Sequence, residues 1–330
     1  LGAWHGCARL TDGSAWCWGE NGQGQLGDNT TSTKNYAVQV YKDAGVTYLD
    51  NVTALAVGTY TSCAVISDNT LKCWGYNGSN GLLANGGTTN RYYADVAKID
   101  AGTTLTNVAS ASVADDLICV VLTDNTAACW GKVFEGVCGD NDAALTKYAD
   151  TKVLTSIGVE TTDIAKIAIG GDHVLALTTA NTVRSWGEKY NNNRTGNATD
   201  NRPFADEMME SSTGVSFTDA SDITGGPWHS CVLKSTDKKV YCVGRNNVLM
   251  LGDGSRTQRA WLDSPVVDSA LADVTDFTQI DSGANFPTCG VTTGGKVRCW
   301  GYGAYGIHVN GSRTEFGSGY TSEIVQRIAP

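Results

Sequence analysis

The stretch Cys7-Ala-Arg-Leu-Thr-Asp-Gly-Ser-Ala-Trp-Cys17-Trp18-Gly19 reads as two short strands closed by a tight loop at Thr11-Asp12-Gly13. With a three-residue loop, residues whose numbers sum to 24 face each other, and Cys7 and Cys17 are such a pair. Opposed residues on antiparallel neighbours stand about 4.5–5.5 Å apart at Cα, within reach of a disulfide. The hairpin is therefore expected to carry its own covalent staple, Cys7–Cys17.

The device recurs along the chain. Cys63–Cys73 closes around Asp68-Asn69, Cys119–Cys129 around Asp124-Asn125, and Cys289–Cys299 around Thr293-Gly294. Cys231–Cys242 is one residue longer, so its loop is even-numbered, from Ser235 to Lys238. Leu175 and Ser185 hold the remaining place without sulfur. The second members fall at 17, 73, 129, 185, 242 and 299, which is an internal repeat of 56 or 57 residues. The repeat units run approximately 1–45, 46–101, 102–157, 158–213, 214–270 and 271–330.

Each unit supplies a leading strand, the two hairpin strands and a trailing strand. Asn51–Val57, Asn107–Val113 and Asp163–Ile169 are leading strands by their period-2 alternation. Sustained helical periodicity is missing, so the chain is expected to be all-β. Repeated four-stranded units of this length predict a β-propeller, here a single domain over residues 1–330. Six hairpins but only five leading strands are visible. The first blade is thus incomplete, and seven blades are expected if the chain is truncated. The chain opens at Leu1 without a methionine or a signal peptide, which reads as a processed product or a fragment. The missing strand would come from residues beyond these 330 or from a neighbouring subunit acting as strand donor.

The tryptophan after the second cysteine (Trp18, Trp74, Trp130, Trp186, Trp300) points away from the disulfide and is expected to wedge between adjacent units. Cys138 lies nine residues after Cys129, as Leu26 and Leu82 lie nine after Cys17 and Cys73. It reads as a buried free thiol in a leucine's place.

Two longer patterns stand out: His5-Gly6-Cys7-Ala8-Arg9-Leu10-Thr11-Asp12-Gly13, and Cys17-Trp18-Gly19-Glu20-Asn21-Gly22-Gln23-Gly24-Gln25-Leu26-Gly27-Asp28. They resemble the RCC1 (regulator of chromosome condensation) repeat, and the resemblance extends over essentially the whole chain. It implies a β-propeller, typically seven-bladed, and a habit of binding proteins through the propeller face. Residues that would insert into a GTPase for nucleotide exchange have no match here.

Composition narrows the function further. A net charge of −10 argues against nucleic acid, and no window of 18 apolar residues exists to form a membrane span. Ten of eleven cysteines in opposed pairs favour an oxidising compartment, hence a secreted, extracellular or cell-surface protein. The alternative is reduced structural cysteines in the cytosol. Asn29, Asn51, Asn77, Asn193, Asn197 and Asn310 begin Asn-x-Ser/Thr sequons, so a glycoprotein is possible on sequence grounds.

His5, His173 and His229 each precede the first cysteine position by two, so repeat phase marks them as structural. Trp228-His229-Ser230-Cys231 restates Trp4-His5-Gly6-Cys7. No HExxH, GxSxG or phosphate-loop pattern occurs. Asp115-Asp116 and Asp140-Asn141-Asp142 lack calcium-loop spacing. No catalytic residue, metal or cofactor is expected. The reading is a non-enzymatic interaction module or subunit of an extracellular assembly, recognising a protein partner, or itself, through the loops Lys132–Ala144, Glu188–Arg202 and Tyr302–Gly319. The alternatives are a secreted enzyme inhibitor, or a carbohydrate-binding or carbohydrate-active propeller using Trp261, Tyr302 and Tyr305.

Overall fold

The structure is a computed structural model that describes residues 2–131, 136–140, 149, 152–187, 202–268, 270–283, 287–301 and 322–324. It divides into two compact units, Leu1–Ile167 and Ala168–Pro330. Every regular element among the described residues is a strand.

In the first unit, repeat 1 contributes β1 (His5–Arg9), β2 (Ala15–Gly19) and β3 (Lys34–Gln39) in a three-stranded sheet of that order. Repeat 2 forms a complete four-stranded sheet from β4 (Val52–Val57), β5 (Thr61–Ile66), β6 (Leu71–Gly75) and β7 (Arg91–Val96). Repeat 3 has β8 (Val108–Val113), β9 (Leu117–Leu122) and β10 (Ala127–Gly131), then a ribbon of β11 (Leu154–Ser156) and β12 (Val159–Glu160). The division between units falls inside β13 (Ile164–Ile169).

The second unit holds β14 (His173–Thr178), β15 (Val183–Gly187) and β16 (Arg202–Glu207) of repeat 4, then β17 (Ala220–Gly225), β18 (His229–Lys234) and β19 (Val240–Gly244) of repeat 5. Repeat 6 closes the series with β20 (Phe277–Ser282), β21 (Thr288–Thr292), β22 (Val297–Trp300) and β23 (Ser322–Ile324), again a four-stranded sheet. The expected closing strand 323–328 is described only as far as Ile324.

The hairpin register is as expected: Cys7 faces Cys17, Ala8 faces Trp16 and Arg9 faces Ala15. Leu10 N–H donates to Ser14 C=O at 3.0 Å, so counting back along the ladder makes Cys7/Cys17 a non-hydrogen-bonded pair. That class brings Cα atoms closest, and the pair stands 4.1 Å apart, tighter than the range expected from sequence. All five cysteine pairs have their sulfurs at bonding distance, 2.03–2.13 Å. In the longer hairpin Lys234 N–H donates to Lys239 C=O, which leaves the four residues 235–238 as the loop.

The hairpin tip needs one residue with positive φ, and the repeats fill it with Gly13 (82°), Asn69 (61°), Asn125 (64°), Asn181 (60°), Lys238 (56°) and Gly295 (71°). Glycine and asparagine tolerate that region best. The tip also joins successive repeats. Its carbonyl accepts the first N–H of the next leading strand: Val52 to Gly13, Val108 to Asn69 and Ile164 to Asn125 in the first unit, Ala220 to Asn181 and Phe277 to Lys238 in the second.

The core is divided in the same way, with one apolar cluster between each pair of consecutive repeats in a unit. Leu26 and Cys17 of repeat 1 meet Trp74 and Val52 of repeat 2, while Cys73 and Leu71 of repeat 2 meet Trp130 and Val108 of repeat 3. In the second unit Leu251 and Cys242 meet Trp300 and Phe277. In these three interfaces the disulfide faces the following repeat and the tryptophan the preceding one. Burial of these faces is the main favourable term holding repeats together.

Two elements differ from the sequence reading. Outside each trailing strand the chain folds back on itself, through Tyr41↔Tyr48, Lys98↔Thr104, Met209↔Ser216 and Val267↔Asp273 bridges and the β11/β12 ribbon. Short Asp turns set several of these, as where Asp43 and Asp100 accept from Gly45 and Gly102 N–H at 2.8 Å. Also, Leu83 and not Leu82 is the counterpart of Leu26. Leu83 N–H donates to Asn77 Oδ1 as Leu26 N–H does to Asn21 Oδ1, so the turn of repeat 2 holds one extra residue.

Candidate binding face and the bonds between repeats

The three sequence-singled histidines all bond into the next repeat. His5 Nε2 lies 2.7 Å from Ser62 Oγ, His173 Nε2 2.8 Å from Ser230 Oγ, and His229 Nε2 2.6 Å from Thr288 Oγ1. In each case the hydroxyl belongs to the residue just before the first cysteine of the following unit.

Around His5 the tautomer follows from the partners. Ser62 Oγ donates its one hydrogen to Gln25 C=O at 3.1 Å, so it accepts from His5 Nε2–H. The same Gln25 carbonyl receives Trp74 Nε1–H at 2.9 Å. A chain of hydrogen bonds thus runs His5 to Ser62 to Gln25, with Trp74 joining at the end. A Cβ on Gly170 or Gly226 would run into the ring of His173 or His229, so glycine is required three residues before each.

Burial holds the His5 imidazole down at about 4, against a smaller opposing pull from the Thr59 backbone carbonyl. The folded pKa therefore lies below the unfolded one, and stability is lost as pH falls below about 6.5. From about pH 7.5 to about pH 4.5, His5 is expected to cost about 2.5 kcal/mol. Urea unfolding of wild type and His5→Gln at both pH values tests this, since glutamine can still donate to Ser62. Equal pH dependence in the two proteins would rule out His5 as the source.

Trp74, Trp130, Trp186 and Trp300 are buried, and Trp130 Nε1–H donates to Leu82 C=O at 2.9 Å, repeating the Trp74 contact. Gly27, at φ 65°, and Gly252, at φ 64°, lie flat against Trp74 and Trp300, where a Cβ would come within 3.0 Å of the indole. Trp18 departs from the expected wedge. It is 36% exposed, whereas the four other tryptophans of this position are buried.

An asparagine four residues after the second cysteine organises the turn that follows. The Asn21 amide donates to Asp28 Oδ1 (2.9 Å), Thr30 C=O (3.1 Å) and Ser32 C=O (3.2 Å), while its Oδ1 accepts from Leu26 N–H. Asn246 repeats this with Asp253, Ser255, Thr257 and Leu251. Asn77 does the same with Gly87 and Thr89 carbonyls and Leu83 N–H. Asn77 is consequently corrected from possible glycan acceptor to structural residue, since its side chain is fully buried and engaged on both sides. The signal was in the sequence as Cys-Trp-Gly-x-Asn, but the sequon overlay it.

Of the other sequons, Asn51 is exposed, and Asn29 is half-buried with its amide donating to Asp43 and Gly45 carbonyls. Asn193, Asn197 and Asn310 lie outside the described residues. So do most of the three expected recognition loops (132–144, 188–202, 302–319), His308, Tyr302 and Tyr305. Trp261 is half-buried.

Cys138 occupies the leucine position. Gly139 N–H donates to Gly136 C=O as Gly27 N–H does to Gly24 C=O, and burial next to Asp140 pushes the thiol up to about 12. Such a thiol is almost wholly protonated and a poor nucleophile. Asp115 accepts a hydrogen bond from the Thr59 hydroxyl. Among the described residues no group of three or more His, Cys, Asp or Glu is placed to hold a metal ion, and no helix is long and apolar enough to cross a membrane.

Sheets of this order, packed on one another within each unit and linked through their hairpin tips, define a repeat assembly of the β-propeller class. The repeat family described as Regulator of chromosome condensation (RCC1) repeat matches residues 1–25, 164–194 and 277–307. At those three places the chain is similar to the RCC1 repeat, and its fold is that of the RCC1 β-propellers. It is 26% identical over 255 residues, 77% of its length, to the E3 ubiquitin-protein ligase HERC2 of Homo sapiens, and equally to that of Mus musculus. It spans only 5% of the length of those ligases. Yeast RCC1 (Prp20) bound to Kap60 superposes with a TM-score of 0.75 at 18% identity, over 99% of this chain and 74% of that one. Human WBSCR16 gives a TM-score of 0.65 at 16% identity, over 86% and 68%.

Proposed function

We propose that this chain is a protein-interaction module that works outside the cell or at its surface, and that it binds without catalysing a reaction. The observation that carries this reading is the use made of its chemically capable side chains. The three histidines of repeat phase are buried in bonds between repeats, and the described cysteines are paired or, in Cys138, protonated and buried. What remains exposed is a surface suited to contact. Yeast Prp20 has been crystallised with Kap60 and characterised for binding to Gsp1p and histones, and the shared fold supports protein binding here as well. Five cysteine pairs at bonding distance support an oxidising setting, because cytosolic thiols are kept reduced.

The first repeat suggests how a partner could engage. Among the described residues β1 pairs only with β2, so its other edge offers unpaired backbone groups. Arg9 and Leu10 there are exposed, whereas their counterparts Val65 and Ile66 are buried beneath β4. An added strand resembling β4 would complete the sheet. Sedimentation velocity across a concentration series, with hydrogen exchange at Cys7 and Arg9, whose N–H groups face the open edge, tests this. Self-association with growing protection of those amides is the expected result. A concentration-independent monomer whose Cys7 and Arg9 amides stay unprotected would remove strand donation between copies of the chain.

A further inference from the structure

In repeats 1, 2 and 5 the loop entering the hairpin ends on a residue just before the histidine position, and the residue after the positive-φ glycine stands opposite it. Glu20 N–H donates to Trp4 C=O at 3.0 Å, Tyr76 N–H to Tyr60 C=O at 2.9 Å, and Arg245 N–H to Trp228 C=O at 2.9 Å. Residues paired in this way across an antiparallel ladder project their side chains to the same side.

Repeat 5 shows what this position accommodates. The guanidinium carbon of Arg245 lies 4.5 Å from the centroid of the Trp228 ring, in cation–π range. Repeat 1 has the same tryptophan without the cation. Trp4 is 58% exposed, and the residue in the place of Arg245 is Glu20, a half-buried carboxylate. An aromatic face beside a negative charge is complementary to a guanidinium, which can lie flat on the ring while its N–H edge reaches a carboxylate.

The neighbouring loops extend the same character. A Cβ on Gly2 would strike the carbonyl of Gly58, and one on Gly58 would stand 2.7 Å from that of Ala114, so the loops of repeats 1, 2 and 3 lie side by side. The second presents half-buried Tyr60 and Tyr76, the third exposed Asp115. The chain as a whole carries a net charge of −10, which favours approach of a basic partner.

We propose that Trp4 and Glu20 form a receptor for an arginine side chain of a basic protein segment, the position that Arg245 fills from within in repeat 5. The proposal rests on the protein-binding reading above and names the chemistry of the partner. The probe is a fluorescently labelled peptide of alternating arginine and glycine, read by anisotropy at low salt, beside the same peptide with citrulline. The arginine peptide is expected to bind wild type, and citrulline to weaken it at least tenfold. Trp4→Ala should also weaken it at least tenfold, and because it leaves the net charge unchanged, bulk attraction cannot explain such a loss. Glu20→Arg should abolish binding by laying its own guanidinium on Trp4, whereas Trp4→Phe should retain most of it and Tyr36→Ala, on β3, all of it. Unchanged thermal melting of the variants certifies their folding. Equal binding by wild type and Trp4→Ala, or no binding by wild type, overturns the proposal. Neither result touches the interaction-module reading, which the sedimentation and exchange measurements test separately.

Discussion

Replacing Trp74 with alanine is expected to destabilise the protein by about 4 kcal/mol, while the same change at Trp18 costs less than about 1 kcal/mol. The two residues hold one repeat position, so sequence alone gives no reason to separate them. Trp74 is fully buried among Leu26, Val40, Leu49 and Ala94, and its indole closes on Gly27. Truncation would open a cavity that a surrounding β-sheet cannot collapse to fill. It would also take one donor from the Gln25 carbonyl, but Ser62 Oγ still donates there, so no buried acceptor is orphaned and the cost stays inside the range for aromatic truncation. Trp18 is more than a third exposed and has much less to lose. Urea unfolding of the two variants beside wild type measures the difference. Equal losses would mean that the tryptophans do not act as wedges between successive repeats.

The contrast between Trp18 and Trp74 also shows how far the sequence could be read. A period of 56 residues made the hairpins, their register and the cysteine pairing legible, because each depends only on residues a few positions apart. The direction of each tryptophan was legible too, since alternate residues on a strand face opposite ways. Its burial was not, because burial depends on what stands against the face, which the local pattern of a strand does not record. The extra residue in the turn of repeat 2 was hidden for a different reason. Leu82 and Leu83 are both apolar and both buried, and only the bond from Leu83 N–H to Asn77 decides which one matches Leu26. Asn77 itself carried two signals at once, a sequon and a turn-organising asparagine, and the second wins because its carbonyl and amide are both consumed inside the fold.

The arrangement at Trp4 could not be seen in sequence either. Trp4-His5-Gly6-Cys7 and Trp228-His229-Ser230-Cys231 were legible as copies of one motif. Glu20 and Arg245, each three residues past its second cysteine, became their partners only when the ladder tied Glu20 to Trp4 and Arg245 to Trp228. A repeat architecture permits such divergence, because the backbone bonds that fix the site are the same whatever side chain projects from it.

Reduction of the cysteine pairs is expected to have the broadest effect on the molecule. Each pair closes a loop of 11 or 12 residues, and in the chain-entropy account such a loop contributes about 3 kcal/mol. Five of them would together match or exceed the net stability of an ordinary domain, about 5–15 kcal/mol, even with the contributions less than additive. A reductant strong enough to open all five should therefore lower the melting temperature by at least about 10 °C. Repeat 4 supplies an internal control, for Leu175 and Ser185 face each other there in the same register without sulfur, both buried. Hydrogen exchange after reduction should rise in the hairpins around Asp12, Asp68, Asp124, Asp237 and Gly294 and least around Ala180. Intact mass should rise by two hydrogens for each pair opened and leave Cys138 unchanged. Unaltered melting with the full mass change would show that interfaces between repeats, and not the staples, hold the hairpins. No mass change at all would mean that the cysteines were reduced from the start, and the oxidising compartment inferred from their pairing would fall with it.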